Sequence, residues 1–73
     1  MRLNIIVKLQ GKPETIWEDV VTVPARVWNG IRDGWDDVDE YDACWNELVE
    51  IVTDLIPSSY RWEDWYIDNW RKA

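Results

Sequence analysis

The sequence has no histidine, no phenylalanine and a single cysteine, Cys44, and each absence removes a class of chemistry. Without an imidazole, and with no serine in a nucleophile motif, no acid–base–nucleophile set can be assembled. One thiol cannot form an internal bridge, so the chain does not read as a disulfide-built secreted scaffold, and a reducing cytoplasm is the expected compartment. Long apolar runs are also missing. The N-terminal stretch over residues 3–9 alternates and is too short to span a bilayer or to read as a signal peptide. The last absence is local: residues 33–54 hold nine carboxylates and no lysine or arginine, whereas the rest of the chain carries six carboxylates against eight bases. The net charge of −7 is therefore concentrated in one segment.

What is present supports a folded domain. Seventy-three residues with 47% hydrophobic content, seven tryptophans and three tyrosines predict one domain over 1–73 that closes a core without metal or disulfide staples. Intrinsic disorder does not fit that composition.

Met1, Leu3, Ile5, Val7 and Leu9 alternate with Arg2, Asn4, Lys8 and Gln10, broken only by Ile6, which is the period of a strand with one buried face. Gly11, Lys12, Pro13 and Glu14 supply a turn. The β-branched segment 15–23 then completes a hairpin. Pro24 suits the first turn of a helix, where Val27, Trp28 and Ile31 form a short apolar stripe that Gly34 ends. Asp37 and Glu40 have the spacing of a capping box opening a second helix, and Pro57 stops it. Along that helix Tyr41, Cys44, Trp45, Leu48, Val52, Leu55 and Ile56 share one face. Glu40, Glu47, Glu50 and Asp54 share another, an outward stripe roughly 21 Å long at 1.5 Å rise per residue. Ser58 or Ser59 is expected to cap a third helix carrying Trp62, Trp65, Tyr66 and Trp70, with Arg71 and Lys72 at its C-terminal end. The expected class is α+β, a two-stranded N-terminal β-hairpin followed by three helices (ββααα).

Two chemical readings of the acidic segment are weaker. Paired carboxylates at Asp36/Asp37 and Asp39/Glu40 could serve a glycosidase, but a chain this short leaves little room for a cleft, and carboxylates at a helix start are ordinarily caps. No enzyme is expected. The oxygen-rich run 33–42 fails the spacing of a calcium loop. Counting from Asp37 places Tyr41, Asp42 and Leu48 at the third ligand, the glycine and the closing glutamate; counting from Asp33 makes Trp35 the second ligand. No metal and no cofactor is expected.

The tryptophans are read mainly as core: Trp17, Trp28, Trp45 and Trp62 enlarge a small interior. Trp35, within the acidic loop, and one of Trp65 or Trp70 are expected to be partly exposed. An exposed indole with an acidic rim is a favoured interface anchor. Stacking on nucleic acid is disfavoured, because Arg61, Arg71 and Lys72 are the only bases near the aromatic segment.

These features make the expected protein a small acidic binder of a partner with a basic nucleic-acid-binding groove. Its contacts would be Asp33, Trp35, Asp36, Asp37, Asp39, Glu40, Asp42, Glu47, Glu50 and Asp54, with carboxylates standing where phosphates would sit. Neither membrane nor direct nucleic-acid binding is expected. In general character the chain resembles small phage-encoded inhibitors such as anti-CRISPR and anti-restriction proteins, which implies steric block of a host nucleoprotein's DNA or guide site. The same class includes small phage proteins that bind host RNA polymerase. A second, local resemblance covers residues 41–48, Tyr-Asp-Ala-Cys-Trp-Asn-Glu-Leu, which are similar to the inhibitory helix of barstar-type ribonuclease inhibitors. It implies that Asp42 is an inhibitory acid, while Asn46 departs from that family's acidic pattern and the β-β start differs from its strand–helix start. The remaining alternative is an adaptor docking through a Trp-rich third helix.

Overall fold

A computed structural model describes residues 1–34 and 37–73. Strands β1 (Arg2–Leu9) and β2 (Thr15–Thr22) are followed by helices α1 (Ala25–Asp33) and α2 (Val38–Leu55), a short 3-10 turn (Ser58–Tyr60) and strand β3 (Trp65–Lys72). The sheet is antiparallel throughout, in the order β2-β1-β3. The hairpin is as expected, with Gly11 taking the left-handed conformation (φ 75°) that its turn requires.

The expected third helix is corrected to a strand, so the fold is α+β with three strands and two helices rather than ββααα. β1 would otherwise end a two-stranded ribbon, which is marginal alone, and β3 supplies the third strand. The local sequence favours it too, because Trp65, Tyr66, Ile67 and Trp70 are aromatic or β-branched. A bulge disguised its period. Val7 pairs with Ile67 and Ile6 with Asn69, leaving Asp68 as the extra residue. That insertion shifts the phase, so Trp65, Ile67 and Trp70 all face inward at steps of two and three, a spacing that imitates a helix. A matching irregularity at Val7/Lys8 leaves Ile16 as the extra residue of β2. Lys8 Nζ forms an ion pair with the bulged Asp68 at 3.2 Å.

Leu3, Ile5 and Val7 of β1 are fully buried and pack with Val21, Val23, Val27, Ile31, Leu48, Val52, Ile56 and Ile67. The helices thus cover one face of the sheet. The opposite face carries Asn4, Ile6 and Lys8, which are half-buried beneath only their strand neighbours. α1 and α2 approach closely through Gly30, whose missing side chain leaves the space taken by Cys44, and through Gly34, which abuts Tyr41. Tyr41 and Trp45 stack at 6.4 Å, and Trp45 meets Trp70 edge to face at 4.9 Å, tying α2 to β3.

Of the tryptophans expected in the core, Trp17, Trp28 and Trp45 are partly buried against it, but Trp62 is 95% exposed and is not a core residue. Trp65 and Trp70 are both half-buried. No described helix is long and apolar enough to cross a membrane.

Candidate functional site: the acidic face of α2

α2 starts where the sequence implied. Asp37 is its N-cap, accepting the Glu40 N–H at 3.2 Å, and Asp39 and Glu40 lie in the first turn, where the helix dipole favours negative charge. The helix ends with the Ile56 N–H donated to the Val52 carbonyl, followed by Pro57. Its last turn carries no basic side chain. Arg61 fills that role from outside, donating to the Thr53 carbonyl at 3.0 Å and the Asp54 carbonyl at 3.4 Å.

Buried Cys44, Leu48 and Val52 fix the orientation of α2. At 100° per residue, Glu40, Glu47, Glu50 and Asp54 then fall on one flank. They are not equivalent. Glu47 is half-buried and engaged by Arg26 of α1 in a two-pronged pair, both contacts at 2.7 Å. Those hydrogen bonds hold the Glu47 carboxyl below the usual carboxylate range and raise the Arg26 guanidinium further still. Glu40, Glu50 and Asp54 are exposed, with no ion-pair partner among the described residues.

The remaining sequence-derived contacts are scattered around this flank. Asp33 closes α1 and is gripped by Arg32 through contacts of 2.9 and 2.7 Å, which depress its pKa. Asp33, Asp37 and Glu40 line a shallow depression with Asn29, Gly30 and Gly34 where the two helices meet. Asp39 and Asp42 are exposed; helical periodicity sets Asp39 at the edge of the Glu40–Asp54 stripe, on the same side as Glu50, and turns Asp42 away from it. Asn46 lies one turn beyond Asp42 and is also exposed, whereas Trp45 turns inward to Trp70. Trp35 and Asp36 lie outside the described residues. Among the described residues, no three His, Cys, Asp or Glu side chains converge to hold a metal ion. No protein-family model, curated protein or solved structure matches the chain.

The arrangement is a charged flank, with Glu40, Glu50 and Asp54 exposed along α2. Its ends are an acidic depression at the α1–α2 junction and, beside the C-terminus of α2, the exposed Trp62. The reading from sequence missed Trp62 as a surface residue. A turn following Pro57, in place of a capped helix, was the signal for it.

Proposed function

We propose that the protein is a non-enzymatic binder that uses the acidic flank of α2 to occlude a basic surface on a protein partner, in the manner of a nucleic-acid mimic. The observation that carries this reading is that Glu40, Glu50 and Asp54 project into solvent from one helical flank without compensating bases. An exposed row of like charge on a rigid helix costs self-repulsion, and it steers association toward complementary charge. Basic nucleic-acid grooves are surfaces of that kind. The mechanism is competition: carboxylates occupy the positions that receive phosphates, and the nucleic acid is excluded.

Glu47 is set apart from this role. Its carboxylate already serves the α1–α2 contact through Arg26, so its contribution is to hold the helices together.

The reading is tested by capture from a bacterial lysate with the wild-type protein beside a Glu40→Lys/Glu50→Lys/Asp54→Lys variant, at low and moderate salt. Recovery of a nucleic-acid-binding protein by wild type only, lost as salt rises, is the expected result, since exposed charge pairs are screened over about 8 Å at physiological ionic strength. Equal recovery by both proteins would remove the acidic flank from the mechanism.

A further inference from the structure

The sheet is open, so β2 and β3 each present a free edge whose backbone N–H and C=O groups are a template for another strand. Both edges are interrupted. Leu3, Ile5 and Val7 of β1 bond to β2 while Asn4, Ile6 and Lys8 bond to β3, a phase set by the Val23 N–H on the Met1 carbonyl at 2.8 Å and the Ala73 N–H on the Arg2 carbonyl at 3.1 Å. The backbone groups of β2 that point away from the sheet are therefore those of Glu18, Val20 and Thr22. This run is short. The bulge at Ile16 ends it on one side, and Pro24, which has no N–H, caps α1 on the other. On β3 the bulge at Asp68 falls inside the strand, and the Trp65 N–H is already donated to the Glu63 carbonyl at 2.9 Å.

Val20 holds the middle of the β2 run, and its outward N–H is donated to Asp19 Oδ1 at 2.7 Å. The edge is capped by its own neighbour. Asp19 pairs with Ile5, so it stands on the helix-covered face in the row Trp17, Asp19, Val21 and Val23, whose other members pack into the core. A carboxylate breaks that apolar period. Asp19 is exposed and forms no ion pair among the described residues, so neither the core nor a salt bridge accounts for it. A charge on the inner face of an edge strand, bonded to the edge itself, obstructs strand addition.

We propose that Asp19 guards the free edge of β2, its carboxylate occupying the middle donor and keeping a second copy of this chain from adding its own β2 there. A second copy is the matching strand because the outward run is symmetric about Val20. An antiparallel copy sets Val20 against Val20 and Glu18 against Thr22, and the β-branched Val20, Val21 and Thr22 favour such pairing. Forming it breaks the Asp19 bond in both copies at the two-fold axis and places each Asp19 opposite a Val21. This guard is independent of the acidic flank of α2.

The test follows wild type, Asp19→Ala and Asp19→Asn by sedimentation equilibrium and by amide exchange at Val20, in dilute and concentrated samples. Asp19→Ala removes charge and acceptor together, whereas Asp19→Asn removes the charge and keeps an acceptor oxygen. Wild type and Asp19→Asn should stay monomeric, and Asp19→Ala should dimerise with Val20 exchange slowed by about tenfold on concentration, the factor that one net hydrogen bond supplies. A monomeric Asp19→Ala would overturn the guard, as would a dimer of it in which Val20 exchange is unchanged. Equal dimerisation by Asp19→Asn would overturn the hydrogen bond as its means. Val20 protection that rises with concentration in the wild type would show that β2 pairs despite Asp19, and the proposal would fail.

Discussion

Gly30 of α1 and Cys44 of α2 occupy the same small space between the helices: a Cβ built on Gly30 would overlap the Cys44 Sγ and lie 3.0 Å from the Cys44 Cβ. The Cys44 thiol in turn reaches the Arg26 carbonyl one turn earlier on α1, at 3.8 Å. The closeness of the helices therefore depends on a missing side chain on one side and a small one on the other. Gly30→Ala should destabilise the protein by about 1–3 kcal/mol, the usual range for overpacking a fitted core. Urea denaturation measures it. The double variant Gly30→Ala/Cys44→Ala should regain part of the loss, since it removes the sulfur that the new methyl meets, and strict additivity would refute the contact.

The Arg26–Glu47 pair predicts how the helix pair responds to acid. Hydrogen bonds from Arg26 depress the Glu47 pKa in the folded state, so the pair's stabilisation is present above the unfolded carboxylate pKa and is lost as pH falls through the lower folded value. Asp33 has the same sign, but its partner is its sequence neighbour Arg32 and part of that pairing survives unfolding. Thermal midpoints measured from pH 7 to pH 3 should fall for the wild type. Glu47→Gln should start lower at pH 7 and fall less, converging with wild type in acid.

How far the sequence foretold this molecule varies from element to element, for physical reasons. β1 was legible because Leu3, Ile5 and Val7 recur at every second position despite the apolar Ile6 between them, and the start of α2 because Asp37 supplies a side-chain cap. β3 was not legible, because the bulge at Asp68 moves Trp70 onto the inner face and turns a period of two into a spacing that a helix would also give. The acidic stripe followed directly from helical periodicity. The Arg26–Glu47 pair within it did not, since it depends on how α1 crosses α2, a tertiary relation that no local pattern carries. Trp62 was assigned to the core because its distance from Tyr66 and Trp70 suits a helix that does not form there.

Leu48 lies at zero exposure at the centre of the face that α2 presents to the sheet. Leu48→Ala should cost about 2–5 kcal/mol, the range seen when a buried leucine is cut back and leaves a cavity. In a domain of this size that approaches the whole stability. The expected observation is a chain largely unfolded at moderate temperature by circular dichroism. A midpoint within a few degrees of wild type would mean that the helix packs on the sheet through other residues.

The correction at the C-terminal end can be tested by removing it. If residues 65–73 formed a docked surface helix, a chain ending at Asp64 would keep an intact hairpin and its two covering helices. With β3 as the third strand, that truncation strips β1 of one hydrogen-bonded neighbour along its length, uncovers Val7 and Ile5 where Ile67 and Trp70 pair with them, and removes the ring that Trp45 meets edge to face. A two-stranded ribbon is marginal in water. The truncated chain should therefore lose cooperative unfolding, and adding residues 65–73 as a separate peptide should restore part of the β signal in circular dichroism. In the full-length protein, amide exchange should show protection along β1 at successive residues, because their amides point alternately to β2 and to β3. Rapid exchange throughout 65–72 alongside a protected β1 would contradict the pairing of β3 with β1.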